Sequence, residues 1–78
     1  MAINIKETSY FELYGDIWRL HGKYIEPVAA DSFWSALTAD ADTLYRKYRG
    51  APQGEFAKSL ILDVCKEIEQ SYKRKVNN

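Results

Sequence analysis

Three stretches of the chain carry apolar residues at helical spacing, and these stripes hold nearly all of its aromatic residues. A 3.6-residue period sustained three times in 78 residues leaves little room for anything but packed helices. The first stripe runs Tyr10, Phe11, Leu13, Tyr14, Ile17, Trp18, Leu20, His21, Tyr24 and Ile25, about half the circumference at 100° per residue. Ser9 and Glu12 have capping-box spacing at its start, and Pro27 bars its continuation. The second stripe is narrower: Phe33, Trp34, Leu37, Ala41, Leu44, Tyr45 and Tyr48. Asp31 or Ser32 is placed to cap it, Gly50 to end it, and Pro52 to prevent its resumption. The third comprises Phe56, Ala57, Leu60, Ile61, Val64, Cys65, Ile68 and Tyr72. Acidic residues sit early and basic residues late in the second helix, and Lys73, Arg74 and Lys75 close the third, as the helix dipole favours.

These signals predict an all-α fold, a compact antiparallel three-helix bundle with helices near 9–26, 31–49 and 54–75. One domain spans 1–78, with 1–8 and 76–78 as tails. Ile3 and Ile5 alternate with polar residues, but a strand there has no partner. No internal repeat or low-complexity segment is present. A domain this small buries only about 60% of its unfolded surface, so most large apolar residues are needed inside, and dimerisation is a ready source of further stability.

Composition narrows the function classes. Eleven basic and eleven acidic residues cancel, which argues against a dedicated nucleic-acid binder. One cysteine allows no internal disulfide, and the absence of a leader or a 20-residue apolar run points to the cytoplasm and away from a membrane. His21 lacks the partners that a metal ligand or general base requires, and Cys65 lies mid-helix on an apolar face; both read as packing residues. The acidic pairs Asp40/Asp42 and Glu67/Glu69 are two residues apart and face different ways. No phosphate loop or nucleophile elbow is present, so no enzyme, cofactor or metal is expected.

What remains is an excess of aromatic surface. Eleven aromatic residues exceed what a three-helix core encloses, and Tyr and Trp are favoured at binding hot spots. Phe11, Gly15, Trp18 and Gly22 form one edge of the first stripe, where missing side chains open a groove. The expected occupant of that groove is the second or third helix of the same chain, with another subunit as the alternative. Leu62, on the polar side of the third helix, is an independent candidate contact. The resulting expectation is a non-enzymatic protein-interaction module that binds another protein or itself as a homodimer. The alternative is a small DNA-binding accessory protein using Arg46, Lys47, Arg49, Lys73, Arg74 and Lys75.

The segment YFELYGDIWRLHGKY, the helix opening with FW, and the later FAKSLILDV and EIE resemble small uncharacterised helical proteins of bacterial phages and other mobile elements. That resemblance implies a bacterial cytosolic accessory protein that works by binding, and it brings no functional residues.

Overall fold

A computed structural model describes residues 9–77. Within them lie α1 (Ser9–Lys23), α2 (Asp31–Tyr48) and α3 (Gly54–Val76). α2 runs antiparallel to α1 and α3, which are parallel to each other. Tyr24 meets Phe33 at one end of the α1–α2 pair, and Lys47 reaches Glu12 at the other. Trp34 near the start of α2 packs edge-on against Tyr72 near the end of α3. The expected three-helix bundle is thus the fold observed.

The helix ends correct several expectations. α1 stops at Lys23 rather than at residue 26. Another turn would need an N–H from Pro27 to the Lys23 carbonyl, and proline has none. Tyr24 instead closes a tighter turn onto the His21 carbonyl at 3.2 Å. Neither Asp31 nor Ser32 caps α2. The N-cap is Ala30, which offers no side-chain bond, so Asp31 contributes through the dipole alone. The Ser9 side chain, and with it the expected capping box, lies outside the described residues, as do the tail 1–8 and Asn78.

The α2–α3 corner depends on a different glycine from the one expected. Gly50 follows Arg49, which stays right-handed, and no glycine among the described residues has a positive φ. The chain turns instead through Ala51 N–H to the Tyr48 carbonyl and Gly54 N–H to the Ala51 carbonyl, both at 2.9 Å. A Cβ on Gly54 would lie 2.7 Å from the Tyr48 carbonyl oxygen and 3.0 Å from that of Arg49. Backbone presses on backbone there, and only glycine fits.

The structure also reveals a repeat that was not expected. Leu13, Asp16, Leu20, Lys23 and Tyr24 recur 24 residues later as Leu37, Asp40, Leu44, Lys47 and Tyr48. Antiparallel packing turns this into a quasi-twofold helical hairpin. Asp16 accepts from Lys47 Nζ at 2.7 Å and Tyr48 Oη at 2.6 Å. Asp40 accepts from Lys23 Nζ at 2.7 Å and Tyr24 Oη at 2.5 Å. Each helix therefore supplies one carboxylate and receives one Lys-Tyr pair. Leu13, Leu20, Leu37, Tyr24 and Tyr48 are buried beneath these clamps.

α3 lies across the hairpin and breaks its symmetry. Ala57 packs against Leu13 and Tyr48 at one end. Ile61 and Ile68 fill the wider space among Leu20, Tyr24 and Leu37, ringed by Phe33, Trp34 and Cys65. No buried side-chain nitrogen or oxygen among the described residues lacks a hydrogen-bond partner.

The clamps shift their own titrations. Burial pushes the Asp16 carboxyl up, but the bonds from Lys47, Tyr48 and Arg19 outweigh it, leaving it below the usual carboxylate range. The bonds from Lys23 and Tyr24 hold Asp40 low. Burial and the bond to Asp16 push the Tyr48 hydroxyl up to about 12. A carboxylate whose pKa falls on folding contributes stability above its unfolded value near 4 and loses it as acid protonates the folded form. Melting temperature is therefore expected to fall as pH drops below about 4, less steeply in Asp16→Asn. Tyr48→Phe is expected to cost about 1–2 kcal/mol in urea denaturation, with Tyr24→Phe similar. Gly54→Ala is expected to destabilise by at least about 1 kcal/mol in the same measurement, through backbone strain.

Candidate functional site

The structure separates the apolar arc of α1 into two halves. Leu13, Leu20 and the partly buried Ile17 face the bundle. On the wheel, Phe11, Gly15, Trp18 and Gly22 lie opposite Leu13 and Leu20, and therefore point away from α2 and α3. Trp18 is 64% exposed, Tyr14 52% and Phe11 46%. The expected internal occupant of the glycine groove is thus corrected. A Cβ on Gly22 would meet nothing within 4 Å, and one on Gly15 only the mobile end of Arg19 at 3.6 Å. Neither α2 nor α3 approaches that edge, because both are engaged on the other side of α1.

The exposed rings lie along one side of α1 and the adjoining edge of α3. Tyr10 and Tyr14 both stand edge-on to Phe56 of α3, with centroids 6.1 Å apart in each case. Trp18 stands edge-on to His21 at 6.3 Å. Rings of this kind carry roughly 150–250 Å² each, so five of them at about half exposure present roughly 500 Å². That is at the upper end for the largest apolar patch of a typical monomer, about 300–600 Å² and often functional. Trp18 is the most exposed of these large apolar side chains. Sequence reasoning included Phe11 and Trp18 but left out Tyr10, Tyr14 and Phe56. Phe56 joins them only because α1 and α3 are parallel neighbours.

Leu62 stands apart, 58% exposed. It borders a second, smaller apolar groove of about 180 Å³ between α2 and α3, with Ala41, Tyr45 and Ile61 in its floor and walls. The fold does not bring it to the α1 strip.

The basic candidates divide between opposite ends of the bundle. Arg46, Lys47 and Arg49 lie at the end of α2, beside the start of α3. Lys73, Arg74 and Lys75 lie some 20 residues further along α3, roughly 30 Å away at 1.5 Å per residue. Most are already engaged. Arg46 pairs with Asp42, Lys47 with Asp16 and Glu12, Lys73 with Glu69, and Arg74 with Glu67. Lys75 donates to the Pro27 carbonyl at 3.1 Å. A groove of about 330 Å³ on the α1–α2 surface is lined by Asp16, Lys23, Asp40 and Lys47, whose charges satisfy each other, and an open groove of about 460 Å³ at the end of α3 is lined by Gln70, Lys73, Arg74 and Asn77.

His21 is half-buried on the border of the aromatic strip, where its ring stands against Trp18. Cys65 is half-buried against the core, and burial pushes its thiol up, away from the reactive thiolate. Among the described residues no three His, Cys, Asp or Glu side chains gather to hold a metal, and no helix is long and apolar enough to cross a membrane. No protein-family model, curated protein or solved structure matches the chain.

Because a Cβ would meet nothing at Gly22 and only an ordinary contact with the Arg19 side chain at Gly15, alanine restores helix propensity without a clash. Gly22→Ala and Gly15→Ala are each expected to raise stability by about 0.5–1 kcal/mol, measured by thermal unfolding of dilute protein.

Proposed function

We propose that the protein is a protein-interaction module whose contact surface is the outward aromatic face of α1. One observation carries this reading: Trp18, the largest of the aromatic residue types, stands mostly in water on the outward side of α1, along with other exposed rings. A chain this small gains stability from every ring it buries, so rings held outside have a use there. Tyr and Trp supply large, rigid contact area with a polar tip, the profile of binding hot spots. Net charge of zero, and a described surface on which no three His, Cys, Asp or Glu side chains gather, favour adhesion over catalysis. A single half-buried thiol suits a reducing cytoplasm. The DNA-binding alternative is disfavoured by the pairing of its basic residues and their placement at opposite ends.

Trp18→Ala is expected to leave the melting temperature within a few degrees of the parent, since the ring packs on little. The same change is expected to weaken partner capture from the native host, with the intact chain as bait, by at least about tenfold, the scale of a hot-spot truncation. A loss of stability with capture unchanged would place Trp18 in the core and overturn the reading.

A further inference from the structure

We infer that the occupant of the α1 face is a second copy of this chain, seated antiparallel on the same face about a twofold axis between residues 16 and 17. This inference rests on the interaction-module reading and specifies its partner.

The first ground is shape. Phe11, Gly15, Trp18 and Gly22 are spaced four, three and four residues apart, the step of a helix–helix seam. Large and small alternate along it. Read in reverse, the strip runs small, large, small, large at the same spacings. An antiparallel copy therefore sets Phe11 against Gly22 of the partner subunit and Trp18 against Gly15 of the partner subunit, with the reciprocal contacts following by symmetry. Each ring meets an absent side chain. The space over Gly22 is open, and over Gly15 only the Arg19 guanidinium, 3.6 Å from where a Cβ would stand, has to swing aside for the ring.

The second ground is charge. In that register Arg19 and Glu12 flank the seam on one side. Arg19 comes within two residues, about 3 Å along the axis, of Glu12 of the partner subunit. Glu12 meets Arg19 of the partner subunit in the same way. Both side chains are more than half exposed, and each also has an ion-pair partner in its own chain, Arg19 with Asp16 and Glu12 with Lys47, which the contact between copies would share. On the other flank Tyr14 comes within two residues, about 3 Å along the axis, of His21 of the partner subunit. No like charges oppose each other, and the net charge of zero adds no repulsion between copies.

The third ground is area. Roughly 500 Å² per copy gives about 1,000 Å² in total, the lower end for a specific contact. The pairing is therefore reversible and depends on concentration.

Sedimentation velocity on the full chain up to about 1 mM, at low salt, tests the inference. A monomer–dimer equilibrium is expected. Gly15→Leu fills the hole facing Trp18 twice per dimer, so it is expected to weaken pairing at least about tenfold, while its melting temperature holds or rises. Glu12→Lys alone and Arg19→Glu alone each oppose like charges and are expected to weaken pairing, whereas an equimolar mixture of the two restores it as a heterodimer. A parent chain that stays monomeric overturns the inference, including the case in which residues 1–8 cover the face. Undiminished pairing in Gly15→Leu, or no recovery on mixing, overturns the register. Trp18-dependent capture of a different protein by a monomeric chain would sink self-pairing while leaving the interaction module standing.

Discussion

The bundle depends on two carboxylates exchanged between neighbouring helices. Asp16 of α1 is held by Lys47 and Tyr48 of α2, and Asp40 of α2 by Lys23 and Tyr24 of α1. The lysines are largely in water, so their ion pairs alone are worth little. The tyrosines matter more. Each ring is buried as a core residue while its hydroxyl reaches the surface carboxylate, so one side chain couples the apolar interior to the polar seam. The hairpin so made presents Leu13, Leu20, Leu37 and both tyrosines to α3.

α3 then decides which surfaces remain outside. It fits one end of the hairpin with Ala57 and the tight Gly54 corner, and the other with Ile68 and the Phe33–Trp34–Tyr72 ring cluster. With α2 and α3 both on one side of α1, neither of them covers the far side of that helix. Its rings are the surplus of an aromatic chain too short to enclose them, and they lie together because the same helix carries them all, joined only by Phe56 from α3.

Much of this was legible in the sequence. Three stripes, Pro27, Pro52 and dipole-ordered charges predict three helices to within a residue or two, except at the end of α1. There the stripe continues through Tyr24 and Ile25, and periodicity alone does not register that Pro27 denies its hydrogen bond to Lys23. The orientation of α1 was less legible. Its apolar arc spans half the helix, wider than two neighbours cover, and nothing in the spacing says which half turns inward. The clamps were missed because five matching positions in two otherwise unlike helices do not stand out as a repeat until antiparallel packing brings each Asp to a Lys-Tyr pair. Gly50 drew attention as the glycine nearest a helix end, whereas the crowding that demands glycine arises at Gly54, from carbonyls that only the folded corner brings close.

The quasi-twofold hairpin has a further consequence for alignment. The connector from Tyr24 to Ala30 is long enough to tolerate a slide of α2 along α1 by a helical turn, about 5.4 Å. Because the grips are reciprocal, such a slide pulls Asp16 and Asp40 from their holders simultaneously and by the same distance. Misaligned hairpins thus forfeit both grips together, and the chain discriminates against them with twice the penalty that one grip would impose.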